Sequence, residues 1–490
     1  MTTATMKFKL SAVCTAVLLS ACSLAPTYQQ PAAPIPSSYP AYSQEAQAEG
    51  AEQLGVDELG WVDFFNDPRL QAIIALALEN NRDIRIAVDR VQEAQAQYGI
   101  VRSDQFPSIG AGATGQIVRN PEELRMGGPN SPSVSRTYQA GIGLTSFEID
   151  FFGRLRNLSA AALEQYLATE AAQRAVRINV VAQVAEAYFR LRAAQEMQTL
   201  MQRTEKSRGE TLRLIQLMYD VGTASSLELD QATLQLQTVR ADLEQAKREE
   251  ARALNALMLL TGTELPEDLP EGQPFGPDQL VAEIPVGLPS DLLQRRPDLI
   301  AAEHALRAAN ANIGAARAAF FPSISITGLL GFASGSLDNL FGSSHRFWQY
   351  SPQLTMPLFT GGGIRSGLDL AEARNNIAVS QYEQSIQNAF REVADALAGE
   401  ATYDQQLAAI REMLRAADGS LRTANLRYET GVDSFLQVQT AEVNLYSAQQ
   451  VGVRIGLESL LNRIELYKAL GGGWALPETA AEVQQEREPT

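Results

Sequence analysis

Two stretches of the chain alternate strictly between apolar and polar residues. From Ile324 the residues Ile326, Leu330 and Phe332 interleave with Ser325, Thr327, Gly331 and Ala333. Trp348, Tyr350, Leu354, Met356 and Leu358 interleave in the same way with Gln349, Ser351, Gln353 and Thr355. A period of two predicts strands with one greasy and one polar face. A weaker version sets Tyr138, Ala140, Ile142 and Leu144 against Thr137, Gln139, Gly141, Gly143 and Thr145. Strands are expected near 106–119, 136–149, 321–333 and 347–359. Half of a soluble β-sandwich would alternate identically. Lipid is favoured by strands longer than the roughly ten residues a tilted spanning strand needs, small or uncharged polar-face residues, aromatics near strand ends and long polar loops.

Between the strand pairs run long segments without proline. A helix from about Arg154 to Tyr219 would reach about 100 Å at 1.5 Å per residue, far beyond an ordinary core, and Ile364 to Tyr428 is equally free of proline. Shorter helices near 66–104 and 225–261 would stack end to end to match one long one. After each long helix, leucines recur every seventh residue: Leu227 and Leu234, then Leu229, Leu236 and Leu243. Leu436 with Val443, and Val438 with Leu445, repeat those positions. Sevenfold spacing favours coiled-coil packing. An amphipathic helix on a globular core shows the same spacing but not this length.

The chain is duplicated. Asp83 and Asp298, and Phe106-Pro107-Ser108 and Phe321-Pro322-Ser323, are 215 residues apart. Tyr219-Asp220-Val221-Gly222 matches Tyr428-Glu429-Thr430-Gly431 at a spacing of 209, and so does Val184 to Ala187 with Val393 to Ala396. A loop at 119–135, longer than its counterpart at 334–346, accounts for the drift. Each copy reads helix, two strands, very long helix, sharp turn, helix. The expected divisions are a leader at 1–21, a tether and collar segment at 22–65, repeats at 66–262 and 290–473 joined by a linker at 263–289, and a tail at 474–490.

Composition narrows the function. Forty Lys and Arg against 57 Asp and Glu give a net charge of −17 over 490 residues without a basic run, which argues against nucleic-acid binding. The two cysteines, Cys14 and Cys22, lie near the N-terminus, where Lys7 and Lys9 precede an apolar run from Leu10 to Leu19, too short to span a bilayer. The run closes on Leu19-Ser20-Ala21-Cys22, which resembles a bacterial lipobox with cleavage before Cys22 and acylation of that residue. An ordinary signal peptide cut elsewhere is the plain alternative. Ser23, rather than Asp, suggests sorting to the outer membrane, and 23–48, rich in Pro, Ala, Ser and Gln, reads as an extended tether.

His304 and His345 are the only histidines, which argues against a histidine metal site or a Ser-His-Asp site. The glycine triplets 361–363 and 471–473 lack the Lys-Ser/Thr of a phosphate loop. No enzyme and no cofactor is therefore expected, apart from covalent lipid on Cys22. A four-stranded sheet has two open edges, which hydrocarbon forbids. Two copies would give eight strands with a nearly filled interior, whereas three give about twelve and leave a lumen.

Lipobox, duplication, both Phe-Pro-Ser strand starts, the Phe-x-Gly-Gly-Gly exit at Phe359 to Gly363 and the Tyr-x-x-Gly turns together resemble the outer-membrane factor (TolC-type) family, in its lipidated OprM/NodT-like branch. The resemblance implies an α+β membrane protein: a homotrimer with a twelve-stranded transmembrane β-barrel, four strands per chain, continued by a long periplasmic α-helical barrel. It further implies N-palmitoyl and S-diacylglycerol groups on Cys22, a periplasmic adaptor and an inner-membrane pump of the RND class as partners, and a gated exit duct for toxic compounds in the outer membrane. A duct for secreted proteins shares that fold, and a pore-less periplasmic spacer would share the helices.

Gly222 and Gly431 can take positive φ and reverse the chain, with Ser225 or Ser434 placed to cap the next helix. The resemblance places Val221, Gly222, Thr223 and Ser225, with Gly431, Val432 and Ser434, against the adaptor. It also implies that Leu436 and Thr440 face a constriction and that Tyr428 with Glu228 or Asp230 forms a polar link. Thr440 departs from the branch, in which Asp is expected, so Asp433 or Asp230 would supply charge. These acids would equally suit a solvated face.

Overall fold

A computed structural model describes residues 23–40, 60–121, 123, 132–281 and 289–472. Cys22, the expected lipidation site, the leader, 41–59 and the tail 474–490 lie outside the described residues. The elements are α1 (Trp61–Phe64), α2 (Pro68–Asn80), α3 (Arg82–Ser103), β1 (Ile109–Arg119), β2 (Val134–Ile149), α4 (Arg154–Asp220), α5 (Ser226–Thr261), α6 (Leu292–Arg295), α7 (Pro297–Ala318), β3 (Ser323–Ser334), β4 (Arg346–Thr355), α8 (Gly363–Glu429) and α9 (Phe435–Ala469). The two long helices are 67 residues each. Contacts divide the chain into two compact units that cut across the repeats: 1–31, 90–169 and 301–382 in one, 32–89, 170–300 and 383–490 in the other.

The first unit is built on an antiparallel sheet ordered β1-β2-β3-β4, so β1 and β4 are both edges. Register keeps its two faces distinct, because directly opposed residues point the same way. Ala111 faces Ile142, Ile142 faces Leu330, and Leu330 faces Trp348, a continuous apolar row across all four strands. Ile149, Ile324 and Leu354 form another row. Trp348, Leu330 and Ile142 are 76, 68 and 60 % exposed. The opposite face carries Thr114, Gln139, Thr327, Gln349, Ser351 and Gln353.

Pairing slips between Leu144 and Phe147, where β2 has one residue more than β3, and Ser146 takes φ 45°. The bulge resets the phase. Simple alternation would turn Phe147 and Ile149 to the polar face, whereas here they join Leu144 on the apolar one. The pattern after Thr145 is therefore shifted by one, which the sequence periodicity did not anticipate. β4 stops at Thr355, short of the expected 359, so Met356, Leu358 and Phe359 lie beyond it; Pro357 has no N–H for a ladder.

Within the expected tether, residues 23–31 are held to the first unit. Ser23 Oγ donates to Asn157 Oδ1 at 2.9 Å, the Tyr28 hydroxyl to Glu303 at 3.1 Å and Gln30 Nε2 to the Tyr382 hydroxyl at 2.9 Å. The Arg307 guanidinium lies over the Tyr28 ring at 5.1 Å. Composition signals no periodicity here, but side chains that reach fixed partners strap the segment down.

The core of the second unit includes Phe64, which stacks on Tyr467 with ring centroids 4.0 Å apart. Beside it the buried Asp67 carboxylate accepts from Arg69 N (2.9 Å), the Tyr188 hydroxyl (2.7 Å), Gln273 N (3.2 Å) and Gln279 Nε2 (2.8 Å). Burial and this carboxylate together push the Tyr188 hydroxyl pKa upward.

The expected helix 66–104 is two helices. Asn81 leaves helical geometry at ψ 135°, its Oδ1 accepts from Asp83 N and Ile84 N, and its Nδ2 donates to Leu260 O at 2.7 Å. The second repeat has the same joint with other chemistry. Arg296, restricted by Pro297, donates from Nη1 to Ala469 O at 3.0 Å, and pairs with Asp298 (2.7 Å) and Glu392 (2.8 Å). At both joints a glycine of positive φ, Gly262 (69°) or Gly471 (84°), ends the hairpin's second helix. A Cβ on either would sit 2.6 Å from Asn80 O or 2.9 Å from Arg295 O. Thus α2–α3 and α5, like α6–α7 and α9, meet at a built junction.

Candidate functional site

The turns between α4 and α5 and between α8 and α9 carry most of the candidate residues. Gly222 and Gly431 have φ 82° and 74°. Their backbones bond alike: Gly222 N to Tyr219 O (2.9 Å) and Thr223 N to Met218 O (2.8 Å), then Gly431 N to Tyr428 O (2.9 Å) and Val432 N to Arg427 O (2.8 Å). Only glycine enters this conformation without strain, and the bonds satisfy the orphan carbonyls of the helix end. Val221, Val432, Thr223 and Ser225 are exposed at these turns.

Side chains then distinguish the two turns. Ser225 forms a full capping box: its Oγ accepts from Glu228 N at 3.2 Å, and Glu228 Oε2 accepts from Ser225 N at 2.7 Å. Ser434 has the same backbone geometry but makes no side-chain cap, although Gln437 stands where Glu228 completes the box at the first turn. Instead Asp433 accepts two hydrogen bonds from Arg427, from Nε at 2.6 Å and Nη2 at 3.1 Å. That pairing holds the Asp433 carboxyl below its ordinary pKa and raises that of Arg427.

The link expected from Tyr428 to Glu228 or Asp230 is not formed in this chain. Glu228 is spent on the cap, Asp230 is exposed, and the Tyr428 hydroxyl approaches Met218 Sδ at 4.0 Å. Partial burial, with Glu228 nearby, raises the Tyr428 pKa. Its ring packs on Phe435, centroids 5.6 Å apart, at the margin of an apolar cluster of Ile215, Ala232, Ala424, Phe435, Val438 and Ala441.

Leu436 and Thr440 lie one turn apart on an exposed face of α9, with Thr440 Oγ1 donating to Leu436 O at 2.8 Å. The leucine series divide in the same sense in both repeats. Leu236 and Leu243 are buried, whereas Leu227 and Leu234 are each 63 % exposed; Val438 is buried, whereas Leu436 and Val443 are exposed. One heptad seam packs within the chain and the other is left open. Deeper in this bundle Arg208 lies buried with its guanidinium over Tyr446 at 4.8 Å, while the Tyr446 hydroxyl donates to Asp242 at 2.9 Å. Sequence reading missed this cluster, whose members are scattered over α4, α5 and α9.

The chain matches the outer membrane efflux protein family over residues 73–263 and 288–472. It belongs to that family. Among its relatives is the toluene efflux pump outer membrane protein TtgI of Pseudomonas putida, 43% identical over 472 residues that cover 96% of this chain and 99% of the relative. The outer membrane protein OprJ of Pseudomonas aeruginosa is 41% identical over 470 residues, covering 95% and 96%. Among solved structures, the open state of the MtrE outer membrane channel of Neisseria gonorrhoeae superposes with a TM-score of 0.83 at 38% identity, covering 92% of this chain and 99% of that one. The CmeC outer membrane channel of Campylobacter jejuni gives 0.84 at 27% identity, covering 95% and 98%. An outer membrane efflux protein presents a channel wall rather than a reaction centre. Among the described residues no cluster of three or more His, Cys, Asp or Glu could hold a metal, and no helix is long and apolar enough to cross a membrane.

Proposed function

We propose that three copies of this chain form the gated outer-membrane exit duct of a tripartite efflux system, passing small toxic compounds from an RND-type inner-membrane pump and its periplasmic adaptor to the exterior. The observation that carries it is the exposed row Ile142, Leu330 and Trp348 on a sheet whose β1 and β4 edges are both open. In hydrocarbon each unpaired strand group costs several kcal/mol, so β4 of one copy pairs with β1 of the next until the ring closes. The open heptad seams of α5 and α9 then meet neighbouring helices in the wall below.

Cys22 carries the acyl anchor. Leu436 and Thr440 line the narrow end, where Arg427–Asp433 and the packing of Tyr428 set its resting width, and the turns at Val221 to Ser225 and Gly431 to Ser434 receive the adaptor. Asp230 stays on the solvated face. Relatives named for toluene and antibiotic efflux support small organic compounds as cargo.

The test is reconstitution of purified protein in planar bilayers, alongside deletion in the native host. A heat-modifiable trimer, unitary conductance and lost solvent or antibiotic tolerance with intact protein secretion are expected. A water-soluble monomer that never conducts would sink the reading.

A further inference from the structure

The sheet's charges are distributed unevenly. Across all four strands the only basic residues are Arg119, Arg136 and Arg346, and the only carboxylate is Glu148. Glu148 lies one residue from the end of β2, on the polar face, where its carboxylate is held by Arg154 at 2.6 Å. The three arginines all lie at the other end: Arg119 closes β1, Arg136 is near the start of β2 and Arg346 opens β4.

Register puts them on the apolar face. Ile117 faces Arg136, and Arg119 follows two residues after Ile117, so these two guanidiniums are diagonal neighbours. Phe332 faces Arg346, two residues from the Leu330–Trp348 pair. All three arginines are exposed, and none forms an ion pair among the described residues. The β3–β4 connection completes the setting. Phe341, 71 % exposed, leaves the strand ends to pack edge-on against Phe332, centroids 5.5 Å apart, which extends the apolar face past the last ladder rung instead of covering the polar one.

We propose that Arg119, Arg136 and Arg346, with the Phe332–Phe341 ledge, form a binding site for a phosphorylated glycolipid headgroup of the outer leaflet. Snorkelling alone would place single cations at either rim. Among strand residues three stand at one rim and none at the other, where Arg154 of α4 is already spent on Glu148, and in a chain of net charge −17 the three unpaired ones call for an anion at their level. Guanidinium forks suit phosphate oxygens, and the ledge suits the acyl chains beneath them. Strand ends remote from α3, α4, α7 and α8 are the exterior ends once the helices occupy the periplasm. The inference thus rests on the exit-duct reading, and ring closure brings the Arg346 strand beside the Arg119 strand of the next copy.

The full-length trimer would be placed in nanodiscs of phosphatidylethanolamine doped with either a bis-phosphorylated lipid A or phosphatidylglycerol, and lipid retained after detergent extraction counted by native mass spectrometry. Wild type should retain lipid A. The triple variant Arg119→Gln, Arg136→Gln, Arg346→Gln should lose retention by about a hundredfold, at roughly fivefold per arginine, and the triple Lys variant should lose little. Should the triple Gln variant not assemble, Arg346→Gln alone should cost about fivefold. Unchanged retention in the Gln variants overturns the site, and phosphatidylglycerol held as firmly as lipid A overturns the glycolipid assignment. A wild type that never enters the disc would instead overturn the duct itself.

Discussion

Arg427 and Asp433 close the second turn with a two-pronged ion pair, while the repeat-equivalent positions of the first turn are Met218 and Ala224, packed against the apolar cluster around Phe435. One ancestral hairpin has become two: one stapled by charge, the other by grease.

The charged staple is titratable. Because Arg427 depresses the Asp433 pKa, the contribution of the pair is fully present above the ordinary carboxylate value of about 4 and is lost as pH falls through the lower folded value. Asp433→Asn should raise open probability in planar bilayers at neutral pH, and acidifying wild type below about pH 4 should approach the same level. A variant as closed as wild type at pH 7 would show that the pair does not hold the narrow end.

Tyr428 separates packing from hydrogen bonding. Its hydroxyl reaches a thioether rather than a carboxylate, so Tyr428→Phe should leave conductance and thermal stability within about 0.5 kcal/mol. Tyr428→Ala, which removes the ring from Phe435, should destabilise the half-buried tip by about 2–3 kcal/mol. Conductance that jumps in the Phe variant would restore the polar link, formed between copies.

Leu236→Ala should cost about 2–4 kcal/mol in chemical denaturation, because it opens a cavity in the seam within the chain. Leu234→Ala, on the exposed series, should barely change secondary structure yet lower the temperature at which the heat-modifiable trimer separates. Equal effects would deny the open seam its role between copies.

Deletion of Ser146 removes the extra residue and the bulge together, which leaves Leu144, Phe147 and Ile149 in plain alternation on the apolar side, so the variant should still insert as judged by protease protection in vesicles; lost insertion would show that the bulge does more than re-phase β2. Ser146→Gly keeps the bulge, relieves the positive φ and should insert normally, with a gain of up to about 1 kcal/mol.

What could be read before folding follows from range. Strand alternation, proline-free helices, leucine heptads and the Tyr-x-x-Gly turns are local patterns, and apart from the phase of β2 after Thr145 and the shorter β4 they stand where periodicity placed them. Partnerships were not legible. Whether Glu228 serves Tyr428 or Ser225 depends on a helix end that offers it the Ser225 N–H and hydroxyl, and the cap is the nearer claim. Ser434 looks equivalent to Ser225 in sequence, with Gln437 in the third place, yet makes no side-chain cap. Thr145-Ser146 resembles any polar pair, so the bulge left no trace in composition. The docking of Tyr28 on Arg307 joins positions 279 residues apart that share no pattern.

The helix joints at Asn81 and Arg296 have a consequence for how such a wall can change over evolutionary time. A residue gained or lost in a 67-residue helix rotates everything downstream by about 100° and scrambles its contacts. The same event beside a joint ends at the interruption, with Gly262 or Gly471 as a buffer. Length variation among descendants should therefore collect in the segmented helices, while the unbroken ones stay frozen as the ruler of the wall.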